Sequence, residues 1–271
     1  MTHHRLLLAG LSLIALASAA CSEPAETPAP APAAEVIAPA PAAPDYAALL
    51  TAGTRPVADA ADDAARKPVE VLAFSKIMPG QTVLEMEAGA GYYTELLSGA
   101  VGPSGKVIMQ APAEFEGFYK DGLAARLLDN RLANVTFSAS HFDKLDAADG
   151  TVDVVTWFLG PHEIYFKPEN APNGLGDPAG TYADIFRVLK PGGYFVVLEH
   201  AAAAGSGTEV GGTLHRIDPA HVKAAAQTAG FVLDEESPLL ANPEDDHTKG
   251  VFDESIRRRT DQFLLRYKKP V

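Results

Sequence analysis

Between residues 83 and 198 the sequence switches repeatedly between two side-chain periods, and no other feature restricts the fold as strongly. Val83–Met86, Lys106–Met109, Val135–Phe137, Val152–Phe158 and Tyr194–Leu198 are short runs rich in β-branched and aromatic residues, the composition of strands. Helix-like segments lie before and between them: Pro68 to Ile77, Tyr93 to Ala100, Gly122 to Asp129 and Thr181 to Leu189. The last is closed by Lys190-Pro191-Gly192-Gly193. Such alternation implies crossover helices and a parallel sheet covered on both faces. The expectation is an α/β fold with a Rossmann-like, doubly wound sheet. A further helix starts at Asp218-Pro219, with Asp as N-cap and Pro at the first helical position, and ends at Gly230. Two more strand-like runs follow, Phe231–Leu233 and Gln262–Tyr267. The stretch from Glu235 to Thr260 between them has no periodic pattern and is too long for a hairpin turn. Loops of that length in a compact domain are more often functional than idle.

The front of the chain has a different character. Arg5 and two histidines precede the apolar run Leu6 to Ala17, and Ser18-Ala19-Ala20 stand before Cys21. Such a run falls short of the about 20 residues a bilayer span needs, so residues 1–20 read as a signal peptide. Cys21 is the only cysteine in the chain. Its place directly after the small residues is where a lipoprotein precursor is cut and the new N-terminal cysteine acylated, although Ser18-Ala19-Ala20 also suits ordinary signal peptidase cleavage. From Ser22 to Pro44 the sequence is almost entirely Ala and Pro, a composition that favours extended polyproline II and buries no core. The expected organisation is a leader at 1–20, a lipidated Cys21 with its linker at 21–44, and one domain at 45–271. That places the domain at the periplasmic face of a bacterial envelope, with the outer membrane as default because Ser22 carries no inner-membrane signal. The membrane would be touched through the lipid anchor alone. A single cysteine also rules out an internal disulfide. The formal charge of -13 repels phosphate backbones, which argues against a nucleic-acid partner.

The strongest local motif is Val83-Leu84-Glu85-Met86-Glu87-Ala88-Gly89-Ala90-Gly91-Tyr92, a buried strand running through a glycine turn into a helix. At such a turn the missing side chains let a ligand approach the backbone at the carboxyl edge of the sheet. A two-glycine turn is also compatible with a tight connection that binds nothing.

Together with Val101-Gly102-Pro103-Ser104-Gly105-Lys106-Val107 and Val188-Leu189-Lys190-Pro191-Gly192-Gly193, this turn resembles class I S-adenosylmethionine-dependent methyltransferases. More narrowly, Ala88 to Leu97, Gly212-Thr213-Leu214-His215-Arg216-Ile217-Asp218 and Leu240 to Lys249 resemble an uncharacterised family of bacterial, often exported, predicted methyltransferases. The resemblance covers roughly residues 55 to 270. It implies a seven-stranded sheet whose last two strands form an antiparallel hairpin, and S-adenosylmethionine as cofactor. In that fold the glycine loop lies beside the methionine moiety, an acid ending the second strand grips the ribose, and another after the third meets the adenine. Here Glu87 replaces the first glycine, Gln110 stands at the end of the second strand and His141 follows the third. The expected cofactor residues are therefore Glu85 and Glu87 facing the cationic sulfonium and ammonium, Gly89, Gly91 and Tyr92 in the loop, Gln110 on a ribose hydroxyl, His141, and Phe158.

Candidate catalytic groups fall at strand ends. The fourth strand runs into Gly160-Pro161-His162-Glu163 and the fifth into Glu199-His200, both at the edge where α/β enzymes place their sites. Imidazole titrates near neutrality, so His162, His200 or His215 could take a proton from a substrate nucleophile; His162 and His200 could equally cap strand ends, and His215 could equally belong to an ion-paired latch with Arg216. Glu163, Arg216, Asp245, Asp246 and His247 are expected to contact substrate or to form an ion-paired lid over the crevice. A metal is a third possibility for the Asp-His set, but no Cys-rich or His-x-x-x-His spacing supports one, so no metal site is expected. Two readings remain open: methyl transfer to a small molecule, or a binding protein that keeps the fold without the reaction. A weaker third is a hydrolase or metal-dependent enzyme.

Overall fold

Seven strands form one mixed sheet in the order β3-β2-β1-β4-β5-β7-β6, in a computed structural model that describes residues 42–52 and 55–271. The expected leader, Cys21 and nearly all of the linker lie outside the described residues. The strands are β1 (Thr82–Met86), β2 (Lys106–Gln110), β3 (Val135–Ser138), β4 (Val152–Phe158), β5 (Leu189–His200), β6 (Val232–Ser237) and β7 (Gln262–Lys268). Central β1 is parallel to both neighbours, with Leu84 opposite Ile108 on β2 and Val155 on β4. β7 inserts antiparallel between β5 and β6, Val197 facing Leu265. The architecture is thus the expected seven-stranded Rossmann-like sheet with a C-terminal antiparallel hairpin.

Alternation of side chains along each strand divides the core into two layers. Leu84, Val155 and Val197 pack on one side with Tyr182 and Ile185, which belong to α6 (Pro178–Val188). Val83, Val154 and Val196 pack on the other with Leu96 and Leu97 of α4 (Tyr92–Val101). Because both faces are covered, β4 reads as an almost unbroken apolar run, as buried parallel strands do. The remaining helices are α1 (Tyr46–Leu50), α2 (Ala60–Arg66), α3 (Pro68–Phe74), α5 (Glu116–Leu127), α7 (Val210–Leu214) and α8 (Pro219–Thr228). Asp218 caps α8 by accepting from Ala220 N at 2.8 Å, with Pro219 at the first helical position, the pairing its sequence announces. At the sheet edge β6 exposes Val232 and Leu233 but continues into Asp234-Glu235-Glu236, a charged run that discourages pairing with another chain.

The structure departs from the sequence reading at three places. Lys190-Pro191-Gly192-Gly193 does not form a closing loop but the first part of a twelve-residue β5, with a register shift between Val152 and Val154 absorbing the turn. The helix expected from Gly122 begins earlier, at Glu116. Helices α1, α2 and α7 are short and have no extended apolar period, which is why the sequence did not reveal them.

Candidate functional site

At the carboxyl ends of β1, β4 and β5 lies a cavity of about 510 Å³ lined by Glu87, Gly89, His162, Glu163, His200 and His215. Ala111, Phe115, Phe118 and Tyr119 form its apolar wall, while Val251 and Phe252 close it from the connection between β6 and β7. A second space of about 200 Å³ shares Glu87 and Gly89 and reaches Glu85, Tyr93 and Phe158. Three non-glycine residues on these walls, Glu87 (φ 50), Leu159 (φ 62) and His215 (φ 54), adopt left-handed backbone. Each such residue costs of order 1–3 kcal/mol, and strain of this kind concentrates at working sites.

The glycine turn is built as the sequence suggests. Gly89 (φ +53) and Gly91 (φ +83) both need positive φ, but their surroundings differ. A β-carbon on Gly91 would strike Arg126 at 2.6 Å, whereas one on Gly89 would meet nothing within 4 Å. Gly91 is therefore a packing glycine and Gly89 an open cradle. Gly160, unremarked in the sequence, is a third: its β-carbon would fall 2.1 Å from Glu87 Oε2 and 2.4 Å from Trp157 Nε1. Trp157 Nε1 also donates to Glu87 Oε2 at 3.3 Å, so the β4 end holds that carboxyl in place. Burial, with the nearby Glu163 charge second, pushes the Glu87 carboxyl well above the ordinary carboxylate range. Beneath the turn, burial raises the Glu85 carboxyl to about 8, and Thr94 Oγ1 donates to it at 2.5 Å.

The histidines form one connected group. His162, buried at the start of the turn after β4, gives Nδ1 to Glu199 Oε2 at 2.7 Å, and its backbone N donates to the same oxygen at 3.1 Å. Its Nε2 lies 3.2 Å from His215 Nδ1 and 3.2 Å from Glu163 Oε1; His215 Nδ1 is 3.6 Å from that same Glu163 oxygen. Burial opposes a charge on His162, but Glu199 and Glu163 outweigh it and hold the imidazolium well above its usual range. Burial likewise opposes charge on Glu163, yet His162 and His215 pull its carboxyl down to about 2. Glu163 Oε2 is buried with no hydrogen-bond partner. His200 behaves oppositely: burial lowers it to about 4, so its ring is neutral near pH 7, with Nδ1 paired to Thr260 Oγ1 at 2.8 Å. Glu199 was passed over in the sequence as a partner for these histidines. The signal that could have found it is an acid directly ending the apolar run Phe195–Leu198.

Several expected cofactor contacts are corrected. Gln110 is fully buried, its Oε1 accepting from Glu87 N at 3.0 Å and its Nε2 donating to Ser140 O at 2.6 Å. It ties loop to loop instead of facing a ribose. His141 pairs with Glu114 at 3.0 Å and lines a different surface depression, with Lys144 and Asp177. Tyr92 packs edge-on against Tyr93 and donates to Asp63 of α2 at 2.6 Å, docking α2 onto α4. Phe158 lies on the wall of the smaller space, edge-on to Tyr93.

The connection between β6 and β7 acts as a strap. Arg216 is fully buried, its Nη1 2.8 Å from Asp245 Oδ2 and its Nε donating to Lys249 O at 2.9 Å. His247 pairs with Asp261 at 3.0 Å. Asp246 is exposed and turns back onto Thr248. Of the residues expected to touch substrate or form a lid, Arg216, Asp245 and His247 are the fastenings of the strap, none of them lining the cavity, and Asp246 is a surface turn. The strap meets the site through Val251 and Phe252, which line the cavity, the Phe252 ring centroid 5.0 Å from that of His215, and through Thr260, paired with His200.

Among the described residues one group of side chains could hold a metal ion: His162, Glu163 and His215, whose ligand atoms all lie within 4.8 Å of one another. The two histidines are 53 residues apart, so only the fold unites them and no short sequence spacing marks the group.

Comparison with known proteins agrees with this architecture. Residues 123–237 match the family described as Methyltransferase domain. The ubiquinone/menaquinone biosynthesis C-methyltransferase UbiE of Ectopseudomonas mendocina is 32% identical over 127 residues, 46% of this chain and 44% of the relative. The protein of that name from Hydrogenovibrio crunogenus is 26% identical over 194 residues, 71% of this chain and 65% of the relative. The chain thus spans about half the length, up to 65%, of these curated relatives. A SAM dependent methyltransferase from Aquifex aeolicus superposes with a TM-score of 0.54 at 21% identity, covering 83% of this chain and 98% of that one. That likeness establishes the fold.

Proposed function

We propose that this chain transfers a methyl group from S-adenosylmethionine to a small-molecule acceptor held in the cavity above β1, β4 and β5. The observation that carries the reading is Gly89, an open backbone cradle with the Glu87 carboxyl beside it, facing a group of histidines across one cavity. The match to the methyltransferase domain family supports it, as do relatives whose names describe C-methylation in quinone biosynthesis.

The residues present fit the donor's methionine half. Room beside Gly89 admits a ligand against the backbone, and the Glu87 and Glu85 carboxyls, kept protonated by burial, would ionise against a sulfonium or an ammonium that binds beside them. For the aromatic base, the wall of Ala111, Phe115, Phe118 and Tyr119 offers an apolar surface. When bound, the donor supplies a methyl group already activated on a cationic sulfur. The chain's own tasks are then orientation and proton removal. Neutral His200 has a lone pair available, although at about 4 it is a weak base. His162, whose Nδ1 is held by Glu199 and whose Nε2 meets Glu163 and His215, fixes the wall against which an acceptor is oriented. Phe252 and Val251 exclude water from above. Export with acylation at Cys21 remains part of this proposal, supported by the sequence at residues 1–21.

Calorimetry of the full chain with S-adenosylmethionine and S-adenosylhomocysteine tests the reading. Both ligands should bind, and Gly89→Val should weaken them by 100-fold or more, as an order-of-magnitude expectation for filling a close backbone approach, with the far-UV spectrum unchanged. No binding by the parent chain, or equal binding by the variant, overturns it.

A further inference from the structure

We infer that His162, Glu163 and His215 form a binding site for a divalent transition metal, Zn²⁺ being the ion its geometry fits, with one coordination position open to the cavity. This goes beyond methyl transfer and does not depend on it.

Geometry gives the first argument. His162 Nε2, His215 Nδ1 and Glu163 Oε1 form a triangle with edges of 3.2, 3.2 and 3.6 Å. Ligands around a tetrahedral Zn²⁺ with bonds of about 2.0–2.1 Å stand about 3.3 Å apart. An octahedral ion with similar bonds would bring them to about 3.0 Å. The triangle matches the tetrahedral face, and two imidazoles with one carboxylate is a donor set catalytic zinc sites use while leaving the fourth position open.

The surrounding atoms supply the second argument. A metal-ligating histidine almost always gives its other ring nitrogen to a carboxylate, which fixes the tautomer and aims the lone pair. Glu199 does this for His162, accepting from Nδ1 at 2.7 Å with its own side chain fully buried. His215 is set by its left-handed backbone and by the neighbouring rings of Phe166 and Phe252, 6.2 and 5.0 Å away. Glu163 Oε2, the oxygen outside this triangle, is buried with no hydrogen-bond partner, which leaves it free to join Oε1 on the ion. The Nε2 proton that His162 shares with Glu163 Oε1 is the one a divalent ion would displace on binding, so uptake releases a proton, and Glu87 adds a further carboxyl to the same wall. A divalent ion satisfies all three lone pairs at once. Its fourth position faces the cavity, where a water or an acceptor oxygen would complete the shell.

The full chain, stripped with chelator, should take up one equivalent of Co²⁺ with the intense visible bands of a tetrahedral site, and Zn²⁺ should displace it. His215→Asn keeps a residue that tolerates left-handed backbone and should lose binding at least 100-fold while the far-UV spectrum and melting temperature stay near those of the parent. Glu199→Gln, which touches no ion, should weaken binding about 10–100-fold, the usual effect of removing the carboxylate behind a ligating histidine. Absence of Co²⁺ and Zn²⁺ uptake by the parent chain overturns the inference, and so does undiminished uptake by folded His215→Asn.

Discussion

Arg216 Nη1 lies 2.8 Å from Asp245 Oδ2 with side chains 0% and 1% exposed, so one buried ion pair fastens the strap between β6 and β7 to the loop after α7. Arg216 also donates to Ala201 O at 2.9 Å and to Lys249 O at 2.9 Å, and Asp245 accepts from Asp261 N at 2.7 Å. Removing one member leaves the other charge buried alone, which costs about 3–5 kcal/mol. Asp245→Ala should therefore lower stability by that amount in urea denaturation, whereas Arg216→Met with Asp245→Leu should recover part of the loss. A single variant that unfolds at the parent midpoint would show that the strap is held elsewhere.

Glu85 predicts a pH dependence. A carboxyl whose folded pKa lies above its unfolded one favours the fold while protonated. The stability it contributes is fully present below about pH 4.5 and is lost as pH rises through about 8. Glu85→Gln keeps an oxygen to accept from the Thr94 hydroxyl and cannot ionise. Its melting temperature should exceed the parent's at pH 8.5 and match it closely at pH 5, with a difference of a few kcal/mol in stability across that range. Parallel pH profiles for the two chains would remove Glu85 as the titrating group.

Gly160 has an ordinary φ of -132, so its requirement for glycine is purely steric. Gly160→Ala pushes a methyl into Trp157 Nε1 and Glu87 Oε2. The indole is fully buried and cannot yield, so overpacking should cost about 1–3 kcal/mol. Because the displaced Glu87 carboxyl belongs to the proposed donor pocket, calorimetric affinity for S-adenosylhomocysteine should fall together with stability. A stable variant with parent affinity would separate Glu87 from that pocket.

Phe252 is 65% exposed while its ring edge covers His215. Truncation to alanine removes little buried surface, so stability should move by no more than about 0.5 kcal/mol. Acylation of His215 by diethylpyrocarbonate, followed by peptide mass spectrometry, should accelerate several-fold once the ring is gone. An unchanged rate would mean that Phe252 does not shield the site.

The sequence by itself determined the layered sheet, because strand and helix periods are local properties and buried parallel strands write themselves as unbroken apolar runs such as Val152–Phe158. It also determined the glycine turn after β1 and the capped start of α8, both set by residues within a few positions of each other. The partners of the polar side chains were decided only by tertiary structure. Gln110 at the end of β2 looked ready for a ribose, but Ser140 and the backbone of Glu87, brought beside it by the parallel ladder, consume its amide. His141, Tyr92 and Arg216 likewise found acids 27 to 29 positions away. His162 and His215 met because α7 returns the chain to the end of β4. A buried polar group must pair with whatever the fold sets against it, and a two- or three-residue period carries no information about a neighbour fifty positions distant.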